Sequence, residues 1–175
     1  MYQIGDLILY GNTGVCKVSD IFVRKGSCSD EGQLCYTLAP LYQDCMISTP
    51  VDSTKVFMRP IISRKEAEEL IDSIPLIRAS AYHNRILRQL AEHYEEAIKS
   101  HDCEDLVRLT TSLYNKKREV ANEKKKFGAV DERFMKRAED LLFGELGAAL
   151  GIPRDKVPDY ISSRIENNTS EHTLS

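Results

Sequence analysis

The hydrophobic pattern of the chain changes once, near residue 60, and this change constrains the fold more than any other feature. Before it, short runs of β-branched, aromatic and other apolar residues alternate with turn residues, which is typical of β-strands. After it, apolar residues recur at spacings of three and four, which is typical of amphipathic helices. The sequence therefore predicts an α+β chain, with a small β-barrel followed by an all-α helical bundle.

Five segments of the first part are predicted strands. They are residues 2–10, 14–24, 34–41, 46–49 and 56–58. Gly11 and Gly14 can supply the positive φ of a tight reversal, and residues 25–32 are a predicted polar hairpin tip. Pro40 cannot donate to a ladder, so the third strand is expected to weaken there or to lie at an edge. Five short strands can close into a small barrel, which removes most exposed edges.

Start and stop signals mark the predicted helices of the second part. Ser63 with Glu66 fits a capping box, and Asp102 and Asp131 are the expected starts of the third and fourth helices. Each helix has one inward stripe. The stripes are Leu87, Leu90, Ala91, Tyr94 and Ile98; Leu106, Leu109, Thr110, Leu113 and Tyr114; and Phe134, Ala138, Leu141, Leu142 and Ala149. Stripes this narrow predict that the helices pack together.

The end of the chain is expected to contribute little to the bundle. Residues 157–165 are a predicted short helix, and the polar stretch from Asn167 is expected to fray. The predicted domains are therefore residues 1–60, residues 61–166 and a flexible tail at residues 167–175.

Composition narrows the class of protein. The five cysteines are odd in number and include no C-x-x-C pair, which argues against a disulfide framework and favours a cytoplasmic location. No apolar run approaches the ~20 residues that span a bilayer, and no signal peptide is recognisable. The four histidines lack the spacing of a zinc site, and no phosphate-binding glycine loop or serine elbow is present. We expect no enzymatic activity, no cofactor, no metal, no membrane contact and no small-molecule substrate.

The N-terminal segment at residues 4–10 (IGDLILY), followed by Gly14-Val15, resembles the opening of the polymerase-interacting domain of the CarD/CdnL family. Residues 46–52 and 58–60 are similar to that domain's last strands, and residues 138–146 are similar to the family's final long helix. The resemblance covers roughly residues 2 to 152. It implies a Tudor-like or SH3-like five-stranded barrel, shared with transcription-repair coupling factor. It also implies contact with the β subunit of bacterial RNA polymerase and with promoter DNA at the upstream edge of the melted bubble.

The chain departs from the family pattern in three places. The family often has Pro and His in the first turn, where Gly11 and Thr13 stand here. Ser48 stands where some members use an arginine, whereas Arg24 keeps the arginine of the second strand. Leu87 stands near the family's wedge tryptophan, and the chain contains no tryptophan.

The first predicted site is a protein-binding surface on the barrel, because a sheet edge or flat apolar patch can pair with a partner strand. The candidate polymerase contacts are Arg24, Leu34, Tyr36, Met46, Ile47, Ser48 and Pro50. The alternative is that Tyr36 and Ile47 belong to the core and that Arg24 is a solvated hairpin charge.

The second predicted site is a DNA-binding surface on the helices, mostly for the phosphate backbone. Residues 115–126 carry six basic and two acidic side chains, a local charge of +4 in a chain whose net charge is −3. The candidate DNA contacts are Arg85, Arg88, Lys116, Lys117, Arg118, Lys124, Lys125 and Lys126. Leu87 and Tyr82 are candidate wedges into a disrupted base step. The alternatives are a solvated charged face and a core position for Leu87.

The resulting hypothesis is a transcription regulator that binds polymerase and promoter DNA and modulates the stability of the open complex. An alternative of a different class is a protein-interaction adaptor whose helices do not touch DNA. The missing tryptophan and the acidic balance favour this adaptor. A hydrolase or metalloenzyme is the third alternative.

Overall fold

The strand-rich and helical parts of the chain form separate units in the computed structural model, which describes residues 1–26 and 32–173. The units are Met1–Ile62 and Ser63–Ser175. The first contains the strands and the second contains the long helices. The predicted α+β class, with a β domain followed by a helical domain, is confirmed.

The strands of the first unit form one antiparallel sheet in the order β4-β3-β2-β1-β5. They are β1 (Leu7–Tyr10), β2 (Gly14–Arg24), β3 (Gln33–Pro40), β4 (Ile47–Pro50) and β5 (Met58–Pro60). All five predicted strands are present. The first begins later than predicted, because Gly5 has a φ of 97° and interrupts the extended chain. The described pairings leave β4 and β5 as the outer strands.

The predicted reversal after β1 and the predicted weakening of β3 at Pro40 can both be compared with the structure. The reversal after β1 is a 3-10 turn at Gly11–Thr13, and both Gly11 and Gly14 have positive φ, as predicted. β3 ends at Pro40, although it lies between β2 and β4 rather than at an edge. Residues 27–31, the centre of the predicted hairpin tip, lie outside the described residues.

The core of the first unit is a small cluster on the inner face of the sheet. Its buried members are Ile8, Cys16, Val18, Tyr36 and Leu38. A bulge between Val18 and Asp20 shifts the register of β2 on β3.

The described part of the second unit contains five α-helices and two short 3-10 turns. They are α1 (Arg64–Ser73), the turn Ile74–Leu76, α2 (Leu87–Lys99), α3 (Cys103–Asn122), α4 (Ala129–Leu150), the turn Arg154–Lys156 and α5 (Val157–Thr173). The capping box at Ser63 and Glu66 is confirmed, and Asp102 caps α3 by accepting from Glu104 N at 2.7 Å. Asp131 does not start α4. The helix begins at Ala129, and Asp131 lies in its first turn, where it is buried.

Most of the predicted inward residues are buried. They are Leu90, Tyr94, Ile98, Leu106, Leu109, Thr110, Leu113, Phe134, Ala138 and Leu142. Leu87 is exposed because it is the first residue of α2 and precedes the packed turns. Tyr114 is also exposed, because it lies about 100° around α3 from the buried Leu113. Both predictions of burial are wrong.

The prediction that the chain frays from Asn167 is wrong, because α5 continues to Thr173. Asn168 of this stretch and Arg164 before it bond to α1. Asp72 accepts hydrogen bonds from Arg164 Nε at 2.6 Å, from Arg164 Nη2 at 2.9 Å and from Asn168 Nδ2 at 2.8 Å. These bonds fasten the last helix to the first. None of the described helices is both long and apolar enough to cross a membrane.

An ion pair between α2 and α4 predicts how the stability of the bundle depends on pH. Arg137 donates from both terminal nitrogens to Glu95, at 2.7 and 2.9 Å, and these bonds hold the pKa of Glu95 below its ordinary value of 4.5. A lowered folded-state pKa contributes stability above the unfolded-state value, and this contribution is lost as pH falls through the folded-state value. We expect Arg137→Gln to lower the free energy of unfolding by about 1 kcal/mol at pH 7, allowing for partial exposure of the pair. Urea unfolding should show this difference shrinking below about pH 4.5; a difference that is constant from pH 7 to pH 3 would contradict it.

Candidate functional site

In the described pairings β4 is an outer strand, with β3 on one side and no partner strand on the other. Val51 N donates to Leu34 O of β3 at 3.0 Å. In an antiparallel pair every second residue directs its backbone N–H and C=O toward the partner strand, so residues 49 and 47 also direct theirs toward β3. Ser48 lies between them and therefore points its N–H and C=O outward. Pro50 offers only its carbonyl there. We call residues 46–50 the β4 edge; its outward groups can pair with an extended segment of another chain.

The predicted polymerase contacts separate by burial. Arg24, Leu34, Met46 and Ser48 are exposed, with Met46 at 61%. Ile47 and Pro50 are half-buried. Tyr36 is 1% exposed.

Tyr36 is therefore a core residue, and the prediction that it contacts a partner is wrong. Its hydroxyl accepts from Tyr2 N at 2.8 Å, and its ring centroid lies 5.8 Å from that of Tyr2. Leu34 is on the same face of β3 but lies beyond the core cluster, which leaves it exposed. The sequence analysis missed Val23, an exposed residue directly opposite Leu34. Because side chains alternate between the two faces of a sheet, the pairing of β2 with β3 could have identified Val23 as the neighbour of Leu34 on the same face.

Lys116 does not belong to the predicted DNA-binding surface. Its ammonium lies 2.8 Å from Asp131 Oδ1, and the two side chains are 8% and 6% exposed. Tyr94 donates its hydroxyl to the same carboxylate oxygen at 2.6 Å, and burial together with this bond raises the pKa of Tyr94. Lys116 is three residues after the buried Leu113, so it lies on the core face of α3. A count of charges along the sequence could not show this.

The other basic residues of this stretch are exposed at the end of α3 and in the turn that follows. We call Lys117, Arg118, Lys124, Lys125 and Lys126 the lysine corner. Lys124 has a φ of 56°, and the N–H groups of Lys124 and Lys125 donate back to Ala121 O and Val120 O at 3.0 and 2.8 Å. This pair of bonds is a Schellman motif, which fixes the backbone of the corner.

Three members of the lysine corner have side-chain partners, and Arg118 is one of them, since its Nη2 donates to Asn115 Oδ1 at 3.0 Å. Lys125 pairs with Glu123 at 2.7 Å, and the Lys117 ammonium lies 5.7 Å from the ring centroid of Phe127. These side chains remain at the surface, where such contacts are weak and can be exchanged for a phosphate.

The start of α2 presents two apolar side chains between two arginines. Ile86 is 55% exposed and Leu87 is 61% exposed. Arg85 and Arg88 flank them; both are exposed, and Arg88 Nε donates to Glu92 at 3.0 Å. We call residues 85–88 the apolar tip. Its Ile86 was not among the predicted wedge residues, which were Leu87 and Tyr82.

Tyr82 is less accessible than Leu87 as a wedge. One face of its ring is covered by His93, with the ring centroids 3.6 Å apart and the planes 15° from parallel. Its edge packs near Tyr94, 6.5 Å away between centroids. Insertion of Tyr82 between bases would have to break these contacts.

Among residues 1–26 and 32–173, no three His, Cys, Asp or Glu side chains are grouped so that they could hold a metal ion.

The burial of Lys116 predicts that alanine substitution lowers the free energy of unfolding far more at Lys116 than at its exposed neighbour Lys117. Lys116→Ala leaves the Asp131 carboxylate buried without its cation, so we expect the free energy of unfolding to fall by about 3–5 kcal/mol. Lys117→Ala removes an exposed charge and should cost less than about 1 kcal/mol. Urea denaturation of the two variants measures both values. Equal costs for the two substitutions would show that Lys116 is not a buried structural residue.

Comparison with known proteins places the first unit in a family. Residues 2–62 match the family model of the CarD-like/TRCF RID domain, and a search of curated proteins finds no match to the chain. The match spans the whole β-sheet, including the β4 edge, and stops before α1. This domain interacts with RNA polymerase and is not that of a known enzyme family, so the chain has a transcription-related role in which it binds the polymerase. Over residues 2–62, the first unit thus matches the CarD-like/TRCF RID domain, an RNA polymerase-interacting domain.

Proposed function

We propose that the chain is a non-enzymatic bacterial transcription regulator with two contacts. The β4 edge binds the β subunit of RNA polymerase. The apolar tip and the lysine corner bind promoter DNA near the upstream edge of the bubble, and these contacts modulate the stability of the open complex. The observation that carries the DNA contact is the exposure of Ile86 and Leu87 between two arginines, in a chain whose other unit interacts with polymerase.

The polymerase contact is argued from the backbone of the β4 edge. The outward N–H and C=O of Ser48 suit main-chain pairing with a strand of the partner. Met46 adds an exposed, adaptable apolar side chain at one end of this edge. Arg24 is exposed at the end of β2, where its planar guanidinium can bind a carboxylate through two bonds.

The DNA contact is argued from the chemistry of the apolar tip. An exposed aliphatic side chain can lean into a base step that is already unstacked, and the melted bubble supplies such a step at its edge. Arg85 and Arg88 can bind the phosphates on either side, which positions the tip without reading sequence. Leucine lacks the flat face of an aromatic ring, so Leu87 fills the step without stacking on a base.

The effect on transcription follows from differential binding. A regulator shifts the equilibrium between closed and open complexes only by binding one of them more tightly. The apolar tip requires an unstacked step, which only the open complex offers. The lysine corner contacts phosphates in either complex and therefore adds affinity without preference.

The second candidate function is an adaptor that binds polymerase and another protein but not DNA. The net charge of −3 favours it, as do the acidic partners of Arg88 and Lys125. The two candidates differ in the salt dependence of binding to forked promoter DNA in the presence of polymerase. Phosphate contacts make this binding weaken as salt rises, whereas an adaptor gives a flat response.

Ser48→Pro tests the β4 edge, with Ser48→Ala as the matched control. Proline removes the outward N–H and leaves the ladder with β3 intact, because that N–H does not face β3. We expect Ser48→Pro to weaken binding to the isolated β-subunit lobe by about 10-fold or more and Ser48→Ala by less than about 3-fold. Biolayer interferometry measures both values. If proline and alanine weaken binding equally, main-chain pairing at this edge is not the mode of docking.

Leu87→Trp and Leu87→Ser test the apolar tip in opposite directions. Tryptophan adds a stacking face and should tighten binding to a polymerase–forked promoter complex by about 3- to 10-fold. Serine removes the apolar group and should weaken it by a similar factor. Leu76→Ser is the control, since Leu76 is exposed in the turn after α1. Titration of labelled complex gives the affinities, and an unchanged affinity for Leu87→Ser would rule out the wedge.

A further inference from the structure

The apolar tip is preceded by a segment that has no regular secondary structure but is bonded to the helices along its length. Residues 77–84, which we call the strap, connect the turn after α1 to the tip. A loop of this kind would ordinarily be free to move, because its backbone makes no ladder or helix bonds. The tip could then present Ile86 and Leu87 only at the cost of ordering this loop on binding.

Side chains of α3 hold the first half of the strap. Asn115 Nδ2 donates to Ala79 O at 2.7 Å, and Ser112 Oγ donates to Ser80 O at 2.7 Å. These bonds fix two consecutive carbonyl groups of the strap. They come from residues three apart on one face of α3.

The second half of the strap is held by its own side chains. Tyr82 stacks on His93 of α2, and His83 Nε2 lies 2.9 Å from Glu119 Oε2 of α3. Strap residues on both sides of Ala81 therefore contact the helices, and Asn84 follows directly before the tip.

Asn84 joins the strap to the tip. Its Oδ1 accepts from Ile86 N at 2.8 Å, which closes an Asx turn. Its Nδ2 donates to Gln89 Oε1 on α2 at 3.1 Å and to Tyr82 OH at 3.3 Å. Ile86 is the N-cap of α2, and its side chain accepts no capping hydrogen bond. The amide of Asn84 thus connects the strap, the N-cap and the first turn of the helix.

We propose that Asn84 is a positioning residue that holds Ile86 and Leu87 in the orientation used to contact DNA. The inference rests on the proposed DNA contact of the tip. It goes further, because it proposes that one side chain, which does not itself touch DNA, keeps the backbone of the tip ordered. Because the tip is ordered before binding, the complex avoids the entropy cost of fixing it, which favours a slower dissociation of the complex.

Asn84→Ala tests this, with Asn84→Ser as the conservative variant and Asn167→Ala as the matched control on α5. Nitrogen-15 relaxation of the full chain should show the backbone order parameters of Ile86 and Leu87 falling from about 0.85 toward 0.6 in Asn84→Ala, and at no other helix start. Serine can close the same turn more weakly, so Asn84→Ser should give intermediate values. Asn167→Ala should change neither residue.

The affinity for a polymerase–forked promoter complex is measured on the same variants. We expect Asn84→Ala to weaken it by about 2- to 10-fold, with Asn84→Ser between it and the unchanged protein. Unchanged order parameters at the tip would overturn the inference without any DNA measurement. Lowered order with unchanged affinity would overturn it as well, provided that Leu87→Ser weakens binding. If Leu87→Ser has no effect, the proposed DNA contact fails first and the role of Asn84 in it fails with it.

Discussion

The buried ion pair between Lys116 and Asp131 holds together the helices on which the second unit depends. It joins α3 to α4, and the hydroxyl of Tyr94 brings α2 to the same carboxylate oxygen. A charge in an apolar interior is costly unless it is paired and hydrogen-bonded, so the loss of any one partner would leave a buried polar or charged group uncompensated. The strap and the apolar tip are attached to these same helices, through Asn115 of α3 and His93 of α2.

Local signals predicted the architecture well, because they act over a few residues. The change of periodicity near residue 60 predicted the change from strands to helices, and Ser63 and Asp102 marked helix starts through bonds to the next turn. Burial was harder to predict. Asp131 has the composition of a helix start, yet its carboxylate is used by a lysine fifteen residues earlier in the chain. Leu87 continues the apolar stripe of α2, yet it is the first residue of that helix and is 61% exposed.

The division into two units offers an explanation for a DNA contact by an acidic chain. A protein with a net charge of −3 gains little from long-range attraction to DNA. In the function we propose, one unit is held by polymerase and the second unit meets promoter DNA at a high effective concentration, so a few phosphate contacts and one apolar insertion suffice. The lysine corner and the apolar tip are the sites that we propose for these contacts. The stronger recognition would then lie in the β-sheet, where backbone pairing does not depend on salt-sensitive charges.

Hydrogen–deuterium exchange of the full chain, with polymerase alone and then with polymerase on a promoter, tests the central claim most directly. The account predicts slower exchange at the amide of Ser48 and its neighbours when polymerase is added. It predicts further slowing at residues 85–88 only when the promoter is melted. Protection confined to the helical unit, or none at the β4 edge, would contradict docking through the first unit.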